Sequence, residues 1–156
     1  MRRVSIRSPS AEARTILTHF GDTARLDERL RFCSLIVWCI AWLVVAWAML
    51  DPSPPQIKVV SDKTIHFASF FVVSFATIAF CRAGRELALA GAVCAVAAVG
   101  FETAQYFIPA RAFEWGDIAA NLGGTGSGIL LAALALHGLR RLGWPRRPGE
   151  PAQRAA

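Results

Sequence analysis

The sequence predicts an all-α integral membrane protein, a four-helix bundle with both termini cytoplasmic, and three observations carry that prediction. The chain is too apolar for a soluble domain of its size, with 54% hydrophobic and only 18% charged residues among 156. Its apolar residues gather into four segments of the length that crosses a hydrocarbon layer. Its basic residues sit at the ends of those segments, almost all of them on one side.

The segments are residues 32–50, 65–81, 87–107 and 118–139. The first carries no charged residue, and although "AWAM" at 46–49 has the small-x-small pattern of a signal-peptidase site, a 31-residue leader is long for a signal peptide. An uncleaved first helix is expected. The second segment follows Asp62 and Lys63, and the turn "RAGRE" separates it from the third. The fourth follows "IPARAFEWGD", with Asp117 expected at or near its N-cap. Within it, "GGTGSG" sets Gly124 and Gly128 four apart, the spacing that lets a neighbouring backbone approach closely. A phosphate-binding loop is disfavoured, because no strand precedes these glycines and no Lys-Ser pair follows.

Fourteen of the seventeen basic residues share one predicted side: seven before the first segment, Arg82 and Arg85 in the short turn, and five after the fourth. Lys58, Lys63 and Arg111 lie on the other. The positive-inside rule therefore places both termini and the "RAGRE" turn on the cytoplasmic side of the membrane, and the other two loops outside. The organisation expected is a basic cytoplasmic segment over residues 1–31, a transmembrane domain over 32–140, and a basic disordered tail over 141–156. Residues 10–31 interleave Ile16, Leu17, Phe20, Leu26 and Leu30 with arginines, a pattern that fits either an amphipathic surface helix or a disordered tail. The net charge of +6 collects where anionic lipid headgroups lie, so membrane lipids and not nucleic acid are the expected partners. Cys33, Cys39, Cys81 and Cys94 lack paired metal spacing and are expected to be buried packing residues.

The polar residues of the membrane domain are concentrated near one depth. Asp62 and His66 are four apart and share a helix face. Glu102 lies five residues before the end of the third segment, about 7 Å inward at 1.5 Å per residue, and Gln105 lies over the same face. Asp117 starts the fourth segment and Asn121 follows one turn in. A Glu or His at this depth is costly unless it is paired or lines a wet cavity, so a shared outward-facing polar pocket is expected. Glu102 should be paired there with His66, Lys63 or Arg111. Taken singly, each residue also has a plain structural use: a cap for Asp117, a helix-to-helix hydrogen bond for Asn121, neutralisation of Glu114 by Arg111. His137 and His19 need no special role.

At these residues the sequence resembles the VanZ-like family of small bacterial membrane proteins, whose namesake is associated with low-level teicoplanin resistance. "DKTIHF" matches an Asp-Lys-x-x-His-Phe pattern through Asp62, Lys63, His66 and Phe67. Glu102 and Gln105 match Glu-x-x-Gln, and Pro109, Arg111, Glu114, Asp117 and Asn121 match the Pro-x-Arg, spaced acidic pair and Asn that follow. The likeness spans residues 35–140, with Phe70 where the family often has Tyr, Ala110 where Gly is common, and Glu114 where Asp is usual. Phe70 lacks the hydroxyl that a proton relay at that position would use. The resemblance implies a membrane setting and a cell-envelope role, with no reaction attached.

Two functions fit. One is a binding protein whose pocket comprises Asp62, Lys63, His66, Glu102, Gln105, Arg111, Glu114, Asp117 and Asn121, with Lys63 and Arg111 holding an anionic group such as a polyprenyl-phosphate-linked or cell-wall precursor. The other is an intramembrane enzyme acting on such a headgroup, with His66 and Glu102 as acid and base and Ser69 on the same face as His66. No cofactor is expected. No metal is expected either, because a set of His66, Glu102 and Asp117 lacks local ligand spacing. A proton-coupled carrier is disfavoured by the near absence of polar groups from the cytoplasmic halves of the segments.

Overall fold

The computed structural model describes residues 11–52, 61–82, 84–109 and 111–142, with side chains described from residue 25 onward. Residues 1–10, residues 53–60 including Lys58, Ala83, Ala110, and residues 143–156 of the expected tail lie outside the described residues. The architecture is all-α, with no strand among the described residues: α1 spans Ala11–Leu50, α2 Asp62–Phe75, α3 Gly84–Gln105 and α4 Trp115–Arg141. A 3-10 turn, Ala76–Ala79, extends α2. Three helices are long and apolar enough to cross a membrane: Arg25–Leu50 within α1, then α3 and α4.

α1 is longer than the first apolar segment. It runs without a break from residue 11 through residue 31, so Arg14, Arg25, Arg29 and Arg31 continue its axis and no helix end marks that boundary. α2 is shorter than its segment. Its fourteen residues rise about 21 Å, and the four residues of the 3-10 turn add about 8 Å, close to the roughly 30 Å of a hydrocarbon core.

The tightest packing joins α2 to α4, and glycine makes it possible. A Cβ on Gly124 would collide with the Phe67 carbonyl, and one on Gly128 would stand 2.6 Å from the Phe71 carbonyl oxygen. With only hydrogens there, the two backbones come into contact, as small-residue interfaces in membranes allow. Phe67, Phe71 and Phe75 stack in parallel along α2, with Phe67 resting over Gly123. α1 joins through aromatic edges: Trp42 meets Phe70 at a centroid distance of 5.5 Å and Phe101 at 5.9 Å, and Trp38 meets Phe80 at 5.3 Å. The Trp38 indole also donates to the Val73 carbonyl at 2.9 Å, satisfying its polar end in an apolar setting. Most other large apolar side chains of α1 are exposed, as expected of a helix with lipid on its outer face.

Cys81 and Cys94 are buried in the core, whereas Cys33 and Cys39 are exposed on α1, which corrects the expectation that all four are buried. α1 touches the other helices along a narrow stripe of aromatics, and these two thiols lie off that stripe.

One end of the bundle is an arginine cluster. The Arg31 guanidinium donates to the Phe80 carbonyl at 3.0 Å and pairs with Glu86 at 3.5 Å. Arg82 pairs with Asp27 at 3.2 Å, and Arg140 donates to the Arg82 carbonyl. The turn between α2 and α3, the early part of α1 and the last turn of α4 therefore meet at one level.

Candidate functional site

The opposite end gathers residues from α2, α3 and α4. α2 begins at Ser61, whose extended backbone and side-chain oxygen cap the helix by accepting from the Thr64 N–H. This start places Asp62 and Lys63 in the first turn and His66 on the inner face one turn later. The His66 Nε2 faces Asp62 Oδ2 at 3.7 Å, with His66 only 3% exposed and Asp62 open to the surroundings. On its other side, Nδ1 lies 3.1 Å from the Asn121 side-chain oxygen. The Asn121 amide nitrogen donates to the Ala98 carbonyl at 3.5 Å, so one Asn links α2 to α3 across α4.

The start of α4 puts Asp117 near the N-cap, within the first turn, as the sequence leads one to expect. The N-cap is Glu114, in extended conformation with φ −128° and ψ 123°, and Asp117 occupies the third helical position. The reason lies in α3: the buried Glu102 carboxylate accepts the Glu114 N–H at 2.7 Å, and this bond holds the chain extended at residue 114 so that the helix starts there. The Glu114 carbonyl then accepts from Asp117 N at 3.0 Å. Asp117, almost fully buried, lies in the first turn, where the helix N-terminus favours negative charge.

Glu102 is fully buried, and its partner is this backbone N–H rather than His66, Lys63 or Arg111. The second carboxylate oxygen, Oε2, has no hydrogen-bond partner among the described residues. Asp117, His66 and Glu114 are near enough to act on it electrostatically.

Lys63 spans the edge of the site, donating to Glu114 at 2.7 Å and Asp117 at 3.3 Å. Glu114 is thus neutralised by Lys63 and not by Arg111. The hydrogen bond from Lys63 holds the Glu114 carboxyl below its ordinary range, and Glu114 first, then Asp117, raises the Lys63 ammonium above its own. Both groups lie at the surface, where water screens their interaction.

Two predicted residues turn elsewhere. Arg111 donates from Nε to the Asp51 carbonyl at 3.0 Å and from Nη2 to the Ala48 carbonyl at 3.3 Å. Gln105 donates to the Met49 carbonyl at 2.7 Å. Together they satisfy carbonyls that the end of α1 leaves without intrahelical donors. Asp62, Lys63, His66, Glu102, Glu114, Asp117 and Asn121 thus form one connected cluster, while Gln105 and Arg111 fasten α1 beside it. A hollow of about 310 Å³ lies apart from the cluster, lined by Ala46, Trp47, Leu50, Asp51 and Pro52. Ser69 is half-buried and makes no hydrogen bond to His66.

Sequence reasoning did not find the backbone acceptors of α1 or the Ala98 carbonyl, because a carbonyl's availability depends on where a helix ends or bends and not on residue type. It also missed Thr125, one turn below Asn121, which is buried with its hydroxyl unpartnered among the described residues. A threonine inside the glycine run was the available signal.

A family model described as VanZ/LLP1 matches residues 5–136, while no curated protein and no solved structure matches the chain. The match takes in most of the chain and every residue of the cluster, so this all-α protein with membrane-length helices belongs to the VanZ/LLP1 family.

Proposed function

We propose that the chain crosses the bacterial cytoplasmic membrane four times with both termini inside, and that its cluster is an outward-facing acid–base site acting on the headgroup of a lipid-linked envelope ligand. The burial of Glu102 carries this reading. A carboxylate that is 0% exposed, tied by one oxygen to a backbone N–H and with the other unpartnered beside a buried His, is expensive to keep in a membrane protein. Perturbed, partly satisfied ionisable groups of this kind are where proton transfer is done. His66 is oriented by Asn121, and the exposed Asp62 gives the site an edge that a headgroup can reach. The alternative, a pocket that holds an anion, is less well supported because Lys63 is already shared by two carboxylates and Arg111 by two carbonyls.

The four-span topology draws on the combined reach of α2 and its 3-10 turn and on the meeting of Arg31, Arg82 and Arg140 at one end. A reporter active only outside the cytoplasmic membrane should signal when fused after Gln56 and stay silent after Ala156. Signal from the second fusion would overturn the topology. The reaction is tested by comparing lipid headgroups, by mass spectrometry, in cells producing the wild-type chain and Glu102→Gln. The variant keeps shape and hydrogen bonding but loses basicity, so a product present with the wild type should fall by roughly 100-fold. An unchanged lipid profile with Glu102→Gln would remove the acid–base reading. Teicoplanin susceptibility of the same cells tests the resistance link that the family name implies.

A further inference from the structure

The orientation of His66 has a chemical consequence. Asn121 donates from its amide nitrogen to Ala98, which turns its amide oxygen toward His66. An amide oxygen only accepts, so the proton of the neutral ring sits on Nδ1 and the Nε2 lone pair is bare. That lone pair looks at Asp62 Oδ2 across 3.7 Å, too far for a direct hydrogen bond, so both atoms are open to a shared partner. Asp117 supplies a third donor, and the ligand atoms of Asp62, His66 and Asp117 all lie within 4.8 Å of one another. The fully buried, unpartnered Oε2 of Glu102 belongs to the same cluster, with Asp117 and His66 as electrostatic neighbours. Counting Glu114, the cluster holds four carboxylates and, among the described residues, one ammonium, that of Lys63, which pairs with two of them. The sign of the site is that of a cation binder.

We propose that this cluster binds a divalent first-row transition ion of the zinc class, with Asp62, His66 and Asp117 as ligands. Asp62 and His66 supply adjacent ligands from one helix face. The Nδ1–H bond to Asn121 is the outer contact that metal-bound imidazoles characteristically make, fixing tautomer and ring plane. One imidazole nitrogen with carboxylate oxygens suits zinc and its neighbours. The position left open faces the exposed side of Asp62, where a water or a headgroup oxygen can enter. The inference rests on the acid–base proposal only in taking this cluster as the working site, and binding is measured without any turnover.

The test uses the full chain in detergent micelles, stripped with a chelator and titrated with Co²⁺ as a visible-absorbing stand-in, with Zn²⁺ as competitor. One ion per chain is expected, displaced by Zn²⁺. Asp62→Asn, an exposed change that leaves the fold intact, and His66→Ala should both abolish or sharply weaken binding. Asn121→Ala should weaken it by about 10- to 100-fold, and His137→Ala, at the other end of α4, should leave it unchanged. Absence of saturable Co²⁺ binding in the wild type, or binding that survives both Asp62→Asn and His66→Ala, overturns the ion site even if Glu102→Gln still alters cellular lipids. Binding lost in those two variants supports it, and it stands even if Glu102→Gln leaves the lipids unchanged, a result that sinks only the acid–base reading.

Discussion

The two ends of the bundle solve the same problem in opposite ways. At the arginine end, Arg31, Arg82 and Arg140 reach helix-terminal carbonyls and half-exposed carboxylates of neighbouring helices. Long stems let their charged heads stay wet while the stems cover apolar surface, so none of the charged side chains named at this end is sealed inside. At the other end, Glu102, His66 and Asp117 are short-tethered groups, each less than 5% exposed, and their mutual satisfaction is incomplete. The first end is held by bonds that any helix terminus needs. The second keeps buried charge that packing alone would have replaced with apolar residues, and the difference separates fastening from chemistry.

The sharpest way to break this comparison is to exchange its members' consequences. His66→Ala should reduce the lipid change in cells by roughly 100-fold or more with little loss of protein, whereas Arg31→Ala should lower protein stability slightly and leave the lipid change intact. Lipid mass spectrometry beside a melting curve of the purified protein checks both. Equal losses from the two variants would mean that the ends do not differ in kind.

A smaller effect is expected where α2 and α4 touch, because that contact sets the distance between His66 and Asn121. Gly128→Ala places a methyl 2.6 Å from the Phe71 carbonyl and should cost about 1–3 kcal/mol as the helices part. Gly126→Ala, with open space around it, should be neutral, and denaturation in mixed micelles distinguishes them. Arg111→Ala removes two charge-assisted bonds to the end of α1. Its guanidinium is only partly buried, so a loss of about 1–2 kcal/mol is expected. Faster hydrogen exchange confined to the last turn of α1 would locate it. The smallest effect belongs to Asp27→Ala: its pair with Arg82 is largely exposed and should be worth about 0–1 kcal/mol, falling further with added salt.

Much was legible in sequence because membranes impose simple rules on composition and charge. Long apolar runs identify α1, α3 and α4, since a helix in lipid must satisfy its backbone internally and present apolar side chains outward. The spacing of Asp62 and His66 and the Gly124 and Gly128 pair follow from helix periodicity alone, which needs no neighbour to be known. What a side chain meets across a helix interface does not follow from periodicity. Arg111 lies on the end of α1 because α1 stops there and leaves carbonyls bare. Glu102 grips the Glu114 backbone because the connector returns over α3, and that grip sets the cap of α4 at Glu114, with Asp117 in the turn that follows. The sequence determined which groups share a depth. Only the tertiary structure decided which of them touch, because azimuth and helix ends are set by packing between segments, and a shift of one residue in either changes every partner.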